Sequence, residues 1–182
     1  MSLKVDAQRY GISKKFGSFS IFFFFFKSRE FRIVYLFRKR HEHREAKNRI
    51  RSSFWAFLNY CFNGTVYIDE NAKIGSGLVI VHAFGIAIGK AQIGKNCTLR
   101  HNVTIGAKHK MDSEEGTGPI IGDNVQVGPG AVILGSIKIG SNVIVGANSV
   151  VLNDFPDESI IAGNPAKIIG KYDDKKYGLP SH

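Results

Sequence analysis

Cysteine is scarce in this chain of 182 residues. Cys61 and Cys97 are too few for a disulfide scaffold, and their spacing fits no zinc motif. Proline is scarce as well, five residues against twenty glycines, so tight turns rather than proline-rich linkers divide the chain. No apolar run is long. The longest, Ile21–Phe26, falls far short of the roughly 20 residues that cross a bilayer. No small-residue cleavage site follows it, so the N-terminus does not read as a secretory signal, and a reducing, cytoplasmic location is expected. No cluster of His, Cys and carboxylates has metal-ligand spacing, and no metal is expected. Apolar residues at 43% and charged residues at 22% exclude a mostly disordered chain, and the length suits one domain with an appendage.

Acidic residues are sparse in the first third. Residues 1–60 hold 14 Lys/Arg and 4 Asp/Glu, whereas residues 61–182 hold 11 of each. The net charge of +10 therefore sits in one segment, and the boundary falls near Phe62-Asn63-Gly64. In the basic segment, Phe31, Val34, Tyr35 and Phe37 recur near helical spacing among Arg29, Arg32, Lys39 and Arg40, and Phe54–Tyr60 suits a second short helix. Such helices either pack on the main domain with a basic outer face, or present aromatics and cations to the inner-membrane surface. Nucleic acid is not expected, because no helix-turn-helix or zinc finger accompanies the charge. His41 and His43, in this segment, read as solvated.

From residue 64 a different pattern takes over. Aliphatic residues fall six apart at Ile74, Ile80 and Ile86, and after one extra residue at Ile93, Leu99 and Ile105. After a longer interruption they resume at Ile121, Val127, Ile133, Ile139, Val145 and Val151. A helix advances about 100° per residue, so residues six apart would point in different directions. On a strand, six is even and every repeat keeps one face. Short strands joined by Gly- and Asn-rich turns, coiled many times, give a prism filled with stacked aliphatic layers. An antiparallel sandwich does not require so constant a phase. The interruption at 108–119 is polar and reads as a loop thrown out of one coil.

Ile121-Gly122-Asp123-Asn124-Val125-Gln126-Val127-Gly128-Pro129-Gly130-Ala131 resembles the hexapeptide repeats of left-handed parallel β-helix acyltransferases. Ile161–Gly170 resembles their C-terminal signature. Within that family, Val81–Gly89 and Leu99–Gly106 are most similar to the serine acetyltransferase branch, which includes acetyltransferases of colanic acid and other bacterial surface polysaccharides. The resemblance implies a mainly β fold, a left-handed parallel β-helix over 64–171, preceded by a short helical segment (1–63) and followed by a tail (172–182). It also implies a homotrimer, acetyl-CoA as co-substrate and direct transfer of the acetyl group to a hydroxyl.

Such a transfer needs a base for the hydroxyl proton, donors for the oxyanion and a seat for the pantetheine arm. Histidine, with an unperturbed pKa of about 6.5 as a residue type, suits the first task, and backbone N–H groups the second. His82 matches the histidine of the family's His-x-x-Gly-Ile pattern and is the expected catalytic base. His101, His109, Tyr67 and Asp69 are candidates for the acceptor side. Gly106, Ala107, Gly128, Pro129 and Ala147 offer small turns for the pantetheine arm, and Lys167 a charge for phosphate.

Three departures from serine acetyltransferases stand out. Val81 replaces an acidic residue before the base, Tyr67 replaces the acidic residue that orients it, and Gly118 replaces a second histidine before the loop proline. They point to a sugar hydroxyl of a surface polysaccharide or its precursor as the acceptor. A serine acetyltransferase with a remodelled site, and a non-catalytic β-helix scaffold, are the alternatives.

Overall fold

The computed structural model describes residues 2–12, 24–62, 64–107 and 118–178. From Val66 the chain winds into a parallel β-solenoid with three stacked sheets. The first sheet holds β1 (Val66–Ile68), β4 (Ile86–Ile88), β7 (Thr104–Gly106), β10 (Val132–Leu134) and β13 (Val150–Val151). The second holds β2 (Lys73–Ile74), β5 (Gln92–Ile93), β8 (Ile120–Ile121) and β11 (Lys138–Ile139). The third holds β3 (Val79–Ile80), β6 (Thr98–Leu99), β9 (Gln126–Val127), β12 (Ile144–Val145) and β14 (Ser159–Gly163). Against β14 the final strand β15 (Ala166–Lys171) turns back antiparallel.

The six-residue period becomes vertical aliphatic columns. Ile88, Ile105, Ile133 and Val151 stack in one sheet, Ile93, Ile121 and Ile139 in the next, and Ile80, Leu99, Val127, Val145 and Ile161 in the third. All of these side chains are buried. At about 1.5–3 kcal/mol for each fully buried aliphatic side chain, the columns are the main source of cohesion, and each coil supports its neighbours.

The register corrects the sequence phase at one coil. The spacing puts Ile86 in the column and an extra residue after it. In the structure Ile88 pairs with Ile105, while Ile86 pairs with Val66, and both isoleucines point inward. The additional residues therefore lie before Ile86, in the corner Val81–Gly85. Two aliphatics two residues apart share one face of a strand, so spacing alone could not choose between them.

Ordinary corners carry a residue in the left-handed region, and asparagine fills it at Asn96, Asn124 and Asn142, with φ of 57°, 57° and 56°. Their side chains form a ladder, Asn96 donating to Asn124 at 3.3 Å and Asn124 to Asn142 at 3.0 Å. The corner at 81–85 is different, with two positive φ values, 55° at His82 and 63° at Gly85. A Cβ at Gly85 would run into the amide oxygen of Asn102, so glycine spares the corner both that contact and the strain of a side chain at positive φ.

Helices close the first coil. They are α1 (Ser2–Arg9), α2 (Arg29–Glu45) and α3 (Arg49–Phe62). The Ser28 hydroxyl caps α2 by accepting from the Phe31 backbone N–H at 3.2 Å. Ile33 and Val34 of α2 extend into the solenoid core, and Phe31 packs with Ala7 and Ile12. The open edge of β3 and the turn before it are satisfied by side chains from these helices. Asp6, fully buried, accepts from the backbone N–H groups of Gly77 (2.7 Å) and Leu78 (2.9 Å), and is paired with Arg38 at 2.9 Å. The Tyr10 hydroxyl accepts from Ile80 N–H at 2.8 Å. This is an edge strand covered rather than left to pair with another chain. At the far end, β15 and the short helix α4 (Asp174–Tyr177) follow the last coil.

Candidate active site

The corner Val81–Gly85 projects His82 into solvent between the third and first sheets, at a position where the left-handed backbone turns the side chain out of the prism. One coil later His101 occupies the same corner. The two imidazole rings lie 6.0 Å apart at 63°, close to perpendicular. Nδ1 of His101 is buried with no hydrogen-bond partner, a polar atom facing inward without the satisfaction that buried groups normally have. A cleft of about 370 Å³ opens here, lined by His82, Ala83, Phe84, His101, Arg29 and Glu30.

Arg29 and Glu30 come from the first turn of α2 and were not read from the sequence as site residues. They lie far from both histidines in the sequence, and no motif links the two stretches. The Arg29 guanidinium donates to Thr65 Oγ1 at 2.7 Å, which ties the helix start to the first coil. Glu30 accepts from the Ser28 hydroxyl at 3.2 Å. The cleft thus holds a carboxylate beside two imidazoles, although the residue before His82 is Val81.

Tyr67 and Asp69 are found elsewhere. Tyr67 lines a separate groove of about 520 Å³ with Arg40, Tyr60, Gly85 and Ala87, and its hydroxyl donates to Asp69 at 3.0 Å. That bond, together with burial, raises the Tyr67 pKa above the usual phenol value. Burial opposes ionisation of Asp69, but the Asn71 backbone N–H and the Tyr67 hydroxyl outweigh it and hold the carboxyl below its ordinary pKa. These two residues satisfy each other beside the His82 cleft and are absent from its lining. His109 lies outside the described residues. Gly118 and Pro119, where the chain rejoins the coil, are buried. A Cβ at Gly118 would collide with the Lys90 carbonyl oxygen, so this backbone has no room for an imidazole at that position.

Most of the candidate donor-binding turns share the histidine corner. The Gly130 backbone N–H donates to the His101 carbonyl at 3.0 Å, and the Asn148 N–H to the Pro129 carbonyl at 2.9 Å. His82, His101, Pro129 and Ala147 therefore rise in one column. Lys167 pairs with Ala162 at its top. Neighbouring strands lie about 4.8 Å apart, so the four steps from His82 to Ala162 span about 19 Å. Gly106 and Ala107 are at the end of β7, one sheet away, and belong to a different corner. Among the described residues no group of three or more His, Cys, Asp and Glu side chains could hold a metal ion.

Residues 118–153 match the family model for the bacterial transferase hexapeptide (six repeats). Over 107 residues the chain is 43% identical to a serine acetyltransferase of Helicobacter pylori, an alignment covering 58% of this chain and 61% of that protein. Soybean serine acetyltransferase complexed with serine superposes with a TM-score of 0.76 and 31% identity, over 92% of this chain and 68% of that one. The serine acetyltransferase of Brucella abortus strain S19, in complex with coenzyme A, superposes with a TM-score of 0.77 and 29% identity, over 94% and 68%. The chain belongs to the hexapeptide-repeat transferase family, left-handed β-helix proteins, among the relatives of serine acetyltransferase. It spans 28% to 61% of the length of the Arabidopsis thaliana and H. pylori relatives it matches.

Proposed function

We propose that this protein is an acetyl-CoA-dependent O-acetyltransferase of the serine acetyltransferase type, with His82 as general base. The observation that carries the reading is the cleft in which His82 projects beside His101, at the foot of a column of small turns. An imidazole nitrogen of His82 takes the proton of the acceptor hydroxyl as its oxygen attacks the thioester carbonyl carbon. The tetrahedral centre collapses, the C–S bond breaks, and the proton passes to the departing sulfur to give free CoA and an acetyl ester. Backbone N–H groups at the corner suit the oxyanion. The column Pro129, Ala147 and Lys167 suits an extended pantetheine arm ending in phosphate.

L-serine is the acceptor to which the relatives' names point. A sugar hydroxyl is the second reading, favoured by Val81, by the Tyr67–Asp69 pair that engages itself, and by the closed space at Gly118. The test is CoA thiol release from acetyl-CoA, with L-serine assayed beside a panel of sugars. Acceptor-dependent release supports transfer and chooses between the two readings. No release with any acceptor, together with no acetyl-CoA binding, favours a scaffold and contradicts the proposal.

A further inference from the structure

Helix α3 is amphipathic in the wrong sense for a helix that serves only to pack. At about 100° per residue, Ile50, Phe54, Phe57 and Cys61 fall within an arc of about 60°. All four are exposed, Ile50 by 86% and Phe57 by 63%. The opposite face, with Ser52, Trp55 and Asn59, is the one that turns inward, and Trp55 packs on Tyr35 and His43 of α2 with ring centroids 6.1 and 6.4 Å apart. No residue of α3 is buried. An aromatic stripe on the outer face of a helix, opposite its packing face, is a surface awaiting a partner.

The charges beside the stripe say which partner. Arg49 and Arg51 flank Ile50, Lys47 precedes the helix, and α3 contains no acidic residue. These residues belong to the first 60, where the whole excess of +10 resides. Pairing the stripe with a second copy would bring these cations against their own like. An anionic bilayer offers hydrocarbon for the phenyl rings and phosphate for the arginines. Among the described residues no helix is long and apolar enough to cross a membrane, so contact would lie in the plane of the interface. We propose that the outer face of α3 docks on anionic membrane surfaces, Ile50, Phe54 and Phe57 entering the headgroup boundary and Arg49 and Arg51 contacting lipid phosphate. Ala56, Asn59 and Tyr60 of the same helix wall the groove that reaches Gly85. Docking would therefore set that groove at the edge of the membrane contact.

Flotation of the full chain with vesicles of phosphatidylcholine and phosphatidylglycerol (3:1), beside pure phosphatidylcholine vesicles, tests this without reference to catalysis. Binding to the anionic vesicles is expected, with a fall of about tenfold in 0.5 M salt. The variant Ile50→Ser/Phe57→Ser changes exposed side chains, and its fold is checked by circular dichroism. It should lose at least about tenfold in vesicle partitioning with no change in mass by light scattering. Failure of the wild type to float with anionic vesicles, or equal flotation of the folded variant, overturns the proposal. A variant that floats like wild type but changes oligomeric mass assigns the stripe to a second copy and overturns it as well.

Discussion

The solenoid and the helical segment are held together by different means. Every coil of the solenoid repeats the same contacts, an aliphatic layer inside and a hydrogen-bonded corner outside, so loss of one contact is shared by its neighbours. The helices meet the first coil through contacts that occur once: Ile33 and Val34 entering its core, Asp6 accepting from the Gly77 and Leu78 N–H groups, and Tyr10 accepting from Ile80. The repeated region is a scaffold and the unrepeated region decorates one end of it. The His82 cleft lies where they join, with residues from both.

The sharpest way to separate the two regions is Arg38→Leu. It leaves the Asp6 carboxylate buried without its cation, which costs about 3–5 kcal/mol. Hydrogen exchange should show protection lost first in α1 and α2, while β9, β12 and β14 keep theirs. Uniform loss along the chain would mean that the two regions fold as one unit.

The next effect is on chemistry. Glu30→Gln keeps the shape of the α2 side chain and removes the carboxylate from the cleft. The rate of CoA release should fall about tenfold with the KM for acetyl-CoA unchanged. The polar groups lining the cleft beside His82 are Arg29 and Glu30 from α2 and His101 from the next coil. An unchanged rate would confine Glu30 to its hydrogen bond with Ser28.

Within the solenoid, Ile133→Val removes one methylene from a central column and should destabilise by about 0.5–1.5 kcal/mol in denaturant melts, with little change in the helices. The smallest effect is on alkaline stability. Burial pushes the Cys97 thiol up from 9.0 to about 11, against the opposing backbone hydrogen bond at Val125. The thiol stays neutral in the fold while the unfolded chain ionises, so its contribution is intact below pH 9 and is lost as pH rises towards 11. Cys97→Ala should flatten the stability curve over that window.

The same contrast governs what the sequence discloses. The columns from Ile93 to Val151 are legible because an even period on a strand repeats one face, and the loop is legible as a break in that phase. The hexapeptide and His-x-x-Gly-Ile patterns similarly single out His82. The corner insertion was displaced by one strand face, since Ile86 and Ile88 are equally good inward residues. Helix α1 is short and polar, so no periodicity announces it. Asp6 and Arg38 are 32 residues apart, and Arg29 and Glu30 reach the cleft from a helix with no fixed offset to the repeats. Tertiary pairings of single residues leave no period to read.

The most direct test of the account is acceptor-dependent CoA release by His82→Ala beside the wild type, with both proteins giving the same circular dichroism and oligomeric mass. Removal of the base predicts a loss of about 100- to 10,000-fold in kcat with acetyl-CoA binding retained. A folded His82→Ala protein that releases CoA at the wild-type rate would contradict it.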